Sequence, residues 1–175
     1  INAWWVAEEL KYGLTDSEAK MLICDTERLG RFSEIAEEFP ELPVVAVRTH
    51  ETPTWAIPWS DVLETESSMP LVTIDPDDDV CIFYTSGTTG EPKGAMHNFA
   101  RISEVGHGIA KRINDSLGND RDHRMLSYLP LAHVFERAWA ETVSLVHGRI
   151  HMFFAESLDT FILDLNRAQP TIFVS

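Results

Sequence analysis

The sequence predicts an α/β fold, a largely parallel sheet flanked by helices, on three observations. Six short apolar runs of strand length recur along the 175 residues. Most of the stretches between them carry apolar residues at helical spacing, which makes them crossover helices of parallel βα units. Hydrophobic residues at 44% and charged residues at 24% are those of a packed domain, and they exclude a disordered or low-complexity chain.

In chain order, Thr15-Asp16-Ser17-Glu18 offers a capping box, and Met21-Leu22-Ile23-Cys24 reads as a buried strand ending at Asp25. Leu29, Phe32, Ile35, Ala36 and Phe39 then share one face of a helix that Pro40 stops. Val44 to Val47 is the next strand. The segment from about 48 to 79 is rich in Thr, Pro, Ser and acids, and reads as an irregular connection anchored by Trp55 and Trp59, with a helical turn near Ser60 to Leu63. Val80 to Tyr84 is a strand, followed by a Gly-rich loop and directly by a helix carrying Phe99, Ile102, Val105, Ile109 and Ile113. A polar loop, Asn114 to Arg124, leads to a strand over Met125 to Leu129. After Pro130 comes a helix through Phe135, Ala138, Trp139, Val143 and Val146, closed by Gly148. Ile150 to Phe154 is a strand, Leu158 to Ala168 a helix ending before Pro170, and Thr171 to Val174 the sixth strand.

Fourteen Lys plus Arg against twenty-eight Asp plus Glu give a net charge of −14, which repels nucleic-acid phosphates and anionic lipid. Two lone cysteines, Cys24 and Cys81, form neither a disulfide framework nor a zinc site, and fit a reducing cytoplasm. No apolar run has the roughly 18 residues of a membrane span. The start lacks Met and the end runs out in a strand, so the chain is expected to be an excised piece of a longer protein.

The most informative segment runs from Thr85 to Gly94, with four hydroxyls, three glycines and one lysine. Glycines let backbone N–H groups approach an anion, hydroxyls donate to its oxygens, and lysine adds a point charge, a composition suited to a polyphosphate. It is not a Walker A loop, because Lys93 follows Pro92 and precedes Gly94. Elsewhere, four carboxylates crowd Asp75 to Asp79 without the spacing of a calcium loop and read as a solvated turn. His147 and His151 are separated by Gly148 and do not share a helical face, which argues against zinc. His97 reads as packing.

Thr85 to Gly94 resembles the AMP-binding signature of the adenylate-forming superfamily, and Leu129-Pro130-Leu131-Ala132-His133-Val134-Phe135-Glu136-Arg137 resembles the next motif in its long-chain fatty acyl-CoA synthetase form. The opening around Trp4-Trp5 and Asp16 to Asp25 is similar to the same branch. The resemblance implies that residues 1–175 are a fragment of the large N-terminal domain of a ligase that converts a fatty acid and ATP into acyl-AMP and passes the acyl group to coenzyme A. It implies ATP phosphates held by Thr85, Ser86, Gly87, Thr88, Thr89, Gly90, Lys93 and Gly94, with Mg²⁺ touching Thr85. It further implies His133 as the catalytic group orienting the acyl carboxylate, and Phe135 lining the acyl site. Taken alone, His133 reads as a helix-start histidine hydrogen-bonded to backbone, a preference that the surrounding motif reverses. Glu136 and Arg137 receive no chemistry. The ribose Asp, the downstream Mg²⁺-holding Glu and the C-terminal lid with its Lys would lie beyond Ser175, so the chain alone is expected to be inactive. An acyl-AMP or aryl-CoA ligase is the nearest alternative reading, and a non-catalytic ATP-binding module is the alternative from another class. The expected partners are small molecules rather than nucleic acid. The expected location is the cytoplasm, at most peripheral to the inner face of a membrane.

Overall fold

The computed structural model describes residues 1–64, 66–85, 92–118 and 120–174. It is α/β and divides into two compact units, Ile1–Thr73 and Ile74–Ser175. Among the described residues no helix is long and apolar enough to cross a membrane.

The first unit opens with helix α1 (Ala7–Asp16), followed by strand β1 (Leu22–Cys24), helix α2 (Thr26–Ser33), strands β2 (Val44–Ala46) and β3 (Ile57–Pro58), and helix α3 (Trp59–Leu63). The three strands pair in parallel in the order β1-β2-β3, with Leu22 opposite Val44 and Val45 opposite Ile57. The predicted parallel pairing and the turn of helix near Ser60 are therefore present. Helix α1 was not expected, and it corrects the reading of Thr15 to Glu18 as a helix start. Those residues end a helix whose true start is marked by Glu9, whose carboxylate accepts the Val6 N–H at 3.0 Å. The helix predicted to run to Phe39 stops earlier. Asp25 caps α2 by accepting the Arg28 N–H, but Ile35 leaves helical geometry (φ −122°, ψ 3°), and only a 3₁₀ turn, Ala36–Glu38, follows. That break leaves Ile35 buried together with Leu10, Leu14, Leu29, Phe32 and Val44.

The second unit contains β4 (Asp79–Thr85), β5 (Lys93–Asn98), α4 (Phe99–Leu117), β6 (His123–Ser127), α5 (Val134–Glu136), a π-helical segment (Arg137–Val143), α6 (Ser144–His147), β7 (Ile150–Phe154) and α7 (Phe161–Ala168). Strands β6 and β7 pair in parallel, and Ile172 adds one parallel bridge to Met125 on the other side of β6. The sixth predicted strand is thus a single bridge. Strands β4 and β5 form an antiparallel hairpin, so the Gly-rich segment joins strand to strand and not strand to helix as expected. Helix α4 begins only after β5, where the Asn98 side chain accepts the Arg101 N–H at 3.0 Å.

The acidic turn before β4 also sets that start. The carbonyls of Asp78 and Pro76 accept the Phe99 and Ala100 N–H groups, at 3.0 and 2.9 Å, which satisfies donors that a helix N-terminus leaves open. The turn is internally bonded as well, with Asp78 Oδ2 accepting the Asp75 N–H at 2.8 Å and Asp75 Oδ1 the Asp77 N–H at 2.9 Å. The solvated-turn reading is the one the geometry supports.

Helix α4 packs on the helix formed by α5, the π segment and α6. Gly106 makes the approach possible, since a Cβ there would lie 2.8 Å from Thr142 Cγ2 and 2.9 Å from Val146 Cγ2. The face of α4 that is buried carries Gly106, Ala110 and Ile113, while Val105, expected inside, is exposed. Ile113, Met125, Val143 and Ile172 form the core that carries the rest of the unit, with Trp139 packed against it as expected.

Candidate functional site

The β4–β5 hairpin positions the first group of predicted residues. Its last described pair is Thr85 opposite Lys93, and Gly94 lies opposite Tyr84. Thr85 Oγ1 is 3.4 Å from the Lys93 carbonyl, a long contact that leaves the hydroxyl available to a better partner. Lys93 is exposed, and among the described residues its ammonium has no ion-pair partner. A cation and a hydroxyl thus stand together at the hairpin mouth. Ser86, Gly87, Thr88, Thr89 and Gly90, the rest of the expected phosphate-binding set, lie outside the described residues.

Gly94 has a packing role of its own. A Cβ there would sit 2.8 Å from Ile82 Cγ2 and 3.3 Å from the Tyr84 ring, so the absent side chain lets the strand-side groups lie flat on the hairpin. His97 pairs across from Cys81 and meets Phe83 edge-on at 5.3 Å, which is packing, as expected. Burial pushes the Cys81 thiol up from its ordinary range, which disfavours the thiolate.

The second group stands at the start of α5. The Pro130 carbonyl accepts the His133 N–H at 2.8 Å, and the His133 carbonyl accepts the Arg137 N–H at 3.0 Å, which turns the chain into the helix. His133 is the N-cap, with Nδ1 accepting the Phe135 N–H at 3.3 Å. The capping use fixes the tautomer, leaving Nε2 to carry the proton, and the exposed ring can present that N–H to a ligand. The capping role and the ligand-orienting role are therefore compatible, one on each nitrogen. Phe135 is half-buried against Trp139, with ring centroids 6.2 Å apart. Among the described residues no hydrogen bond or ion pair links the His133 group to the hairpin group.

The sequence reading gave Glu136 no chemistry. It is only 5% exposed, three residues beyond the cap, where the partial positive charge of a helix N-terminus favours a carboxylate. The sequence signal for that burial was a carboxylate three residues after a capping side chain. The π segment that follows was also unforeseen. Ser144 Oγ donates to the carbonyls of Ala140 and Glu141 at 2.5 and 3.0 Å, which supplies partners where the i→i+4 ladder is displaced.

Among the described residues no three His, Cys, Asp or Glu side chains converge in a way that would hold a metal. His147 and His151 go separate ways, His147 Nε2 to Asn114 Oδ1 at 2.9 Å and His151 towards Asp122 at 3.4 Å. A cavity of about 430 Å³ in the first unit, with Trp5, Asp25, Arg28 and Arg48 among its walls, contains none of the predicted site residues.

A family model described as AMP-binding enzyme matches residues 1–175. Long-chain-fatty-acid–CoA ligase 1 of Homo sapiens is 40% identical over 98 residues, 56% of this chain and 14% of that protein. Long chain acyl-CoA synthetase 5 of Arabidopsis thaliana is 38% identical over 120 residues, 66% of this chain and 18% of that protein. The matched part of the chain thus corresponds to less than a fifth of the length of these curated relatives. An anthranilate CoA ligase in complex with anthranoyl-AMP superposes with a TM-score of 0.84 at 23% identity, over 99% of this chain and 34% of that one, which establishes the shared fold.

Proposed function

The chain belongs to the AMP-binding enzyme family, and from that premise we propose that it is part of a ligase that activates a long-chain fatty acid with ATP and transfers the acyl group to coenzyme A. The likeness to long-chain ligases is the observation that carries the acyl class. In the proposed reaction a carboxylate oxygen attacks the α-phosphorus, the bond to the β-phosphate oxygen breaks, and pyrophosphate leaves with the developing charge. The thiol of coenzyme A, losing its proton, then displaces AMP from the acyl carbon.

The residues have distinct tasks in this reading. Lys93, with the hydroxyls and N–H groups from Thr85 to Gly90, neutralises charge on the departing pyrophosphate, a contribution that grows in the transition state. His133 holds the carboxylate through Nε2–H while Nδ1 stays on its helix cap, and Phe135 lines the acyl site. The exposed Thr85 hydroxyl offers one oxygen, which fits Mg²⁺, an ion that keeps most of its ligands from nucleotide phosphates and water. When bound, Mg²⁺ would supply charge neutralisation at those phosphates. Two lone thiols and a strongly acidic surface support a cytoplasmic protein whose partners are small molecules.

The intact protein should catalyse palmitate-dependent exchange of pyrophosphate into ATP and form palmitoyl-CoA, and benzoate should not replace palmitate. Preference for benzoate would move the protein to the aryl branch, and no exchange with any acid would make it a binding module. His133 separates its two jobs by substitution. His133→Asn keeps a strong N-cap and His133→Ala removes it, a difference of about 1 kcal/mol in stability. Both should slow single-turnover palmitoyl-AMP formation about 10–100-fold through lost orientation. An Asn variant with the normal rate would take His133 out of the site.

A further inference from the structure

We infer that the His123–His147 contact is a pH-sensitive latch, closed while the His147 imidazole is neutral, that fastens α4 and α6 to β6 and through them the helix that begins at His133. His123 is fully buried in β6, and its ring meets that of His147, at the end of α6, edge-on with centroids 5.6 Å apart. Each ring uses Nε2 for its hydrogen bond: His147 donates to Asn114 Oδ1 on α4 at 2.9 Å, and His123 points to the Gly118 carbonyl at 3.4 Å. Each Nδ1 is buried and, among the described residues, without a partner.

Those two bare nitrogens are the feature that makes the seam responsive. A proton added at His147 Nδ1 creates a cationic N–H donor that has no acceptor among the described residues, beside the fully buried ring of His123. The surrounding charges do nothing to relieve it. His123 from β6 and Arg149 from the turn before β7 both oppose a positive charge on His147, and α4 presents the uncharged Asn114. Arg149 is itself bound to Asp122, on which His151 also converges. Lys111–Asp115 on α4 and Arg137–Glu141 on the π segment are self-neutralised pairs at the surface.

Burial first, then His123 and Arg149, lowers the His147 pKa from its ordinary value. The unfolded chain therefore binds this proton more tightly than the native one. The latch contributes fully above the ordinary imidazole pKa of about 6.5, and its contribution is lost as pH falls below that value towards the lowered native one. Nothing in this depends on the ligase reading, because the measured quantity is stability.

The test compares the intact protein with His147→Gln and His147→Phe, which cannot take up the proton. Between about pH 7.5 and about pH 5.5 the unsubstituted protein should lose about 2–4 °C more in Tm than either variant. Equal losses in all three would overturn the latch. A direct reading comes from NMR titration of the ¹³C-labelled imidazoles in the unsubstituted protein, with the His147 signal identified by its absence in the Gln variant or by its contact with His123. A His147 midpoint below about 6.5 supports the latch, and a midpoint at or above it removes it, whether or not the variants fold.

Discussion

Lys93→Met in the intact protein should lower the rate of acyl-adenylate formation about 10²–10³-fold, the usual loss when a group aimed at transition-state charge is removed. Lys93 is exposed at the mouth of the β4–β5 hairpin and no described acid pairs with it, so the substitution leaves no orphaned charge behind. Its strand bonds to β4 are made by the backbone, which Met keeps. The unfolding free energy should accordingly stay within about 0.5 kcal/mol of that of the parent protein, as for a surface change away from special features. Palmitate binding measured without ATP should not move, since in the proposed reading the ammonium serves the phosphates and not the acyl chain. A variant with full rate would detach the hairpin mouth from the phosphates. A variant that unfolds would mean that Lys93 holds the strand.

Phe32→Ala should cost about 3–5 kcal/mol and melt the first unit, the expected loss for removing a fully enclosed ring whose space cannot collapse. Phe32 is 1% exposed and packs against Phe39 and Trp55, with centroids 6.1 and 5.8 Å away, so its removal leaves a cavity bordered by two other rings. Urea unfolding of the intact protein followed by near-ultraviolet circular dichroism reads the loss of these ring contacts. Phe32→Leu should recover most of the stability, because volume and not aromaticity is what the site lacks. An Ala variant as stable as its parent would mean that this core is not what holds the unit.

Strands β1, β2 and β7 were legible because each is a compact run of apolar residues, whereas β6 (His123–Ser127) begins two residues before the predicted Met125, taking His123 and Arg124 from the expected polar loop. The parallel pairing of β1 with β2 and of β6 with β7 follows from the helices between them, while β2 and β3 pair in parallel across an irregular connection without a helix. Helix α1 was hidden by Gly13, which propensity reads as a breaker. The structure needs glycine there because a Cβ would meet the Trp5 ring at 2.4 Å, so a tertiary contact overrode the local preference. Strand β5 was hidden for the opposite reason. Lys93-Gly94-Ala95-Met96-His97-Asn98 has no alternation and little β-branched character, and becomes a strand only because β4 offers it a ladder. At the site, the types and order of the residues were legible from the two motifs. That His133 stands at a helix start and bonds to backbone was legible as the plainer reading of that residue, and the structure shows it. That Glu136 is buried beside it could not be read from a list of residue types, because it depends on which way the helix starts.

The π segment between Glu136 and Ser144 has a consequence for how this helix can change over generations. A π turn holds one residue more than an α turn, and one residue is about 100° of helix phase. The direction of His133 at one end, relative to the His147 seam at the other, is therefore set by a count of residues and not by any side chain between them. Losing one residue from Arg137–Val143 would let the helix close into a continuous α form and swing the imidazole to another bearing, with every motif letter intact. Single-residue insertions and deletions, which a comparison of motifs does not register, are the changes that would re-aim this site.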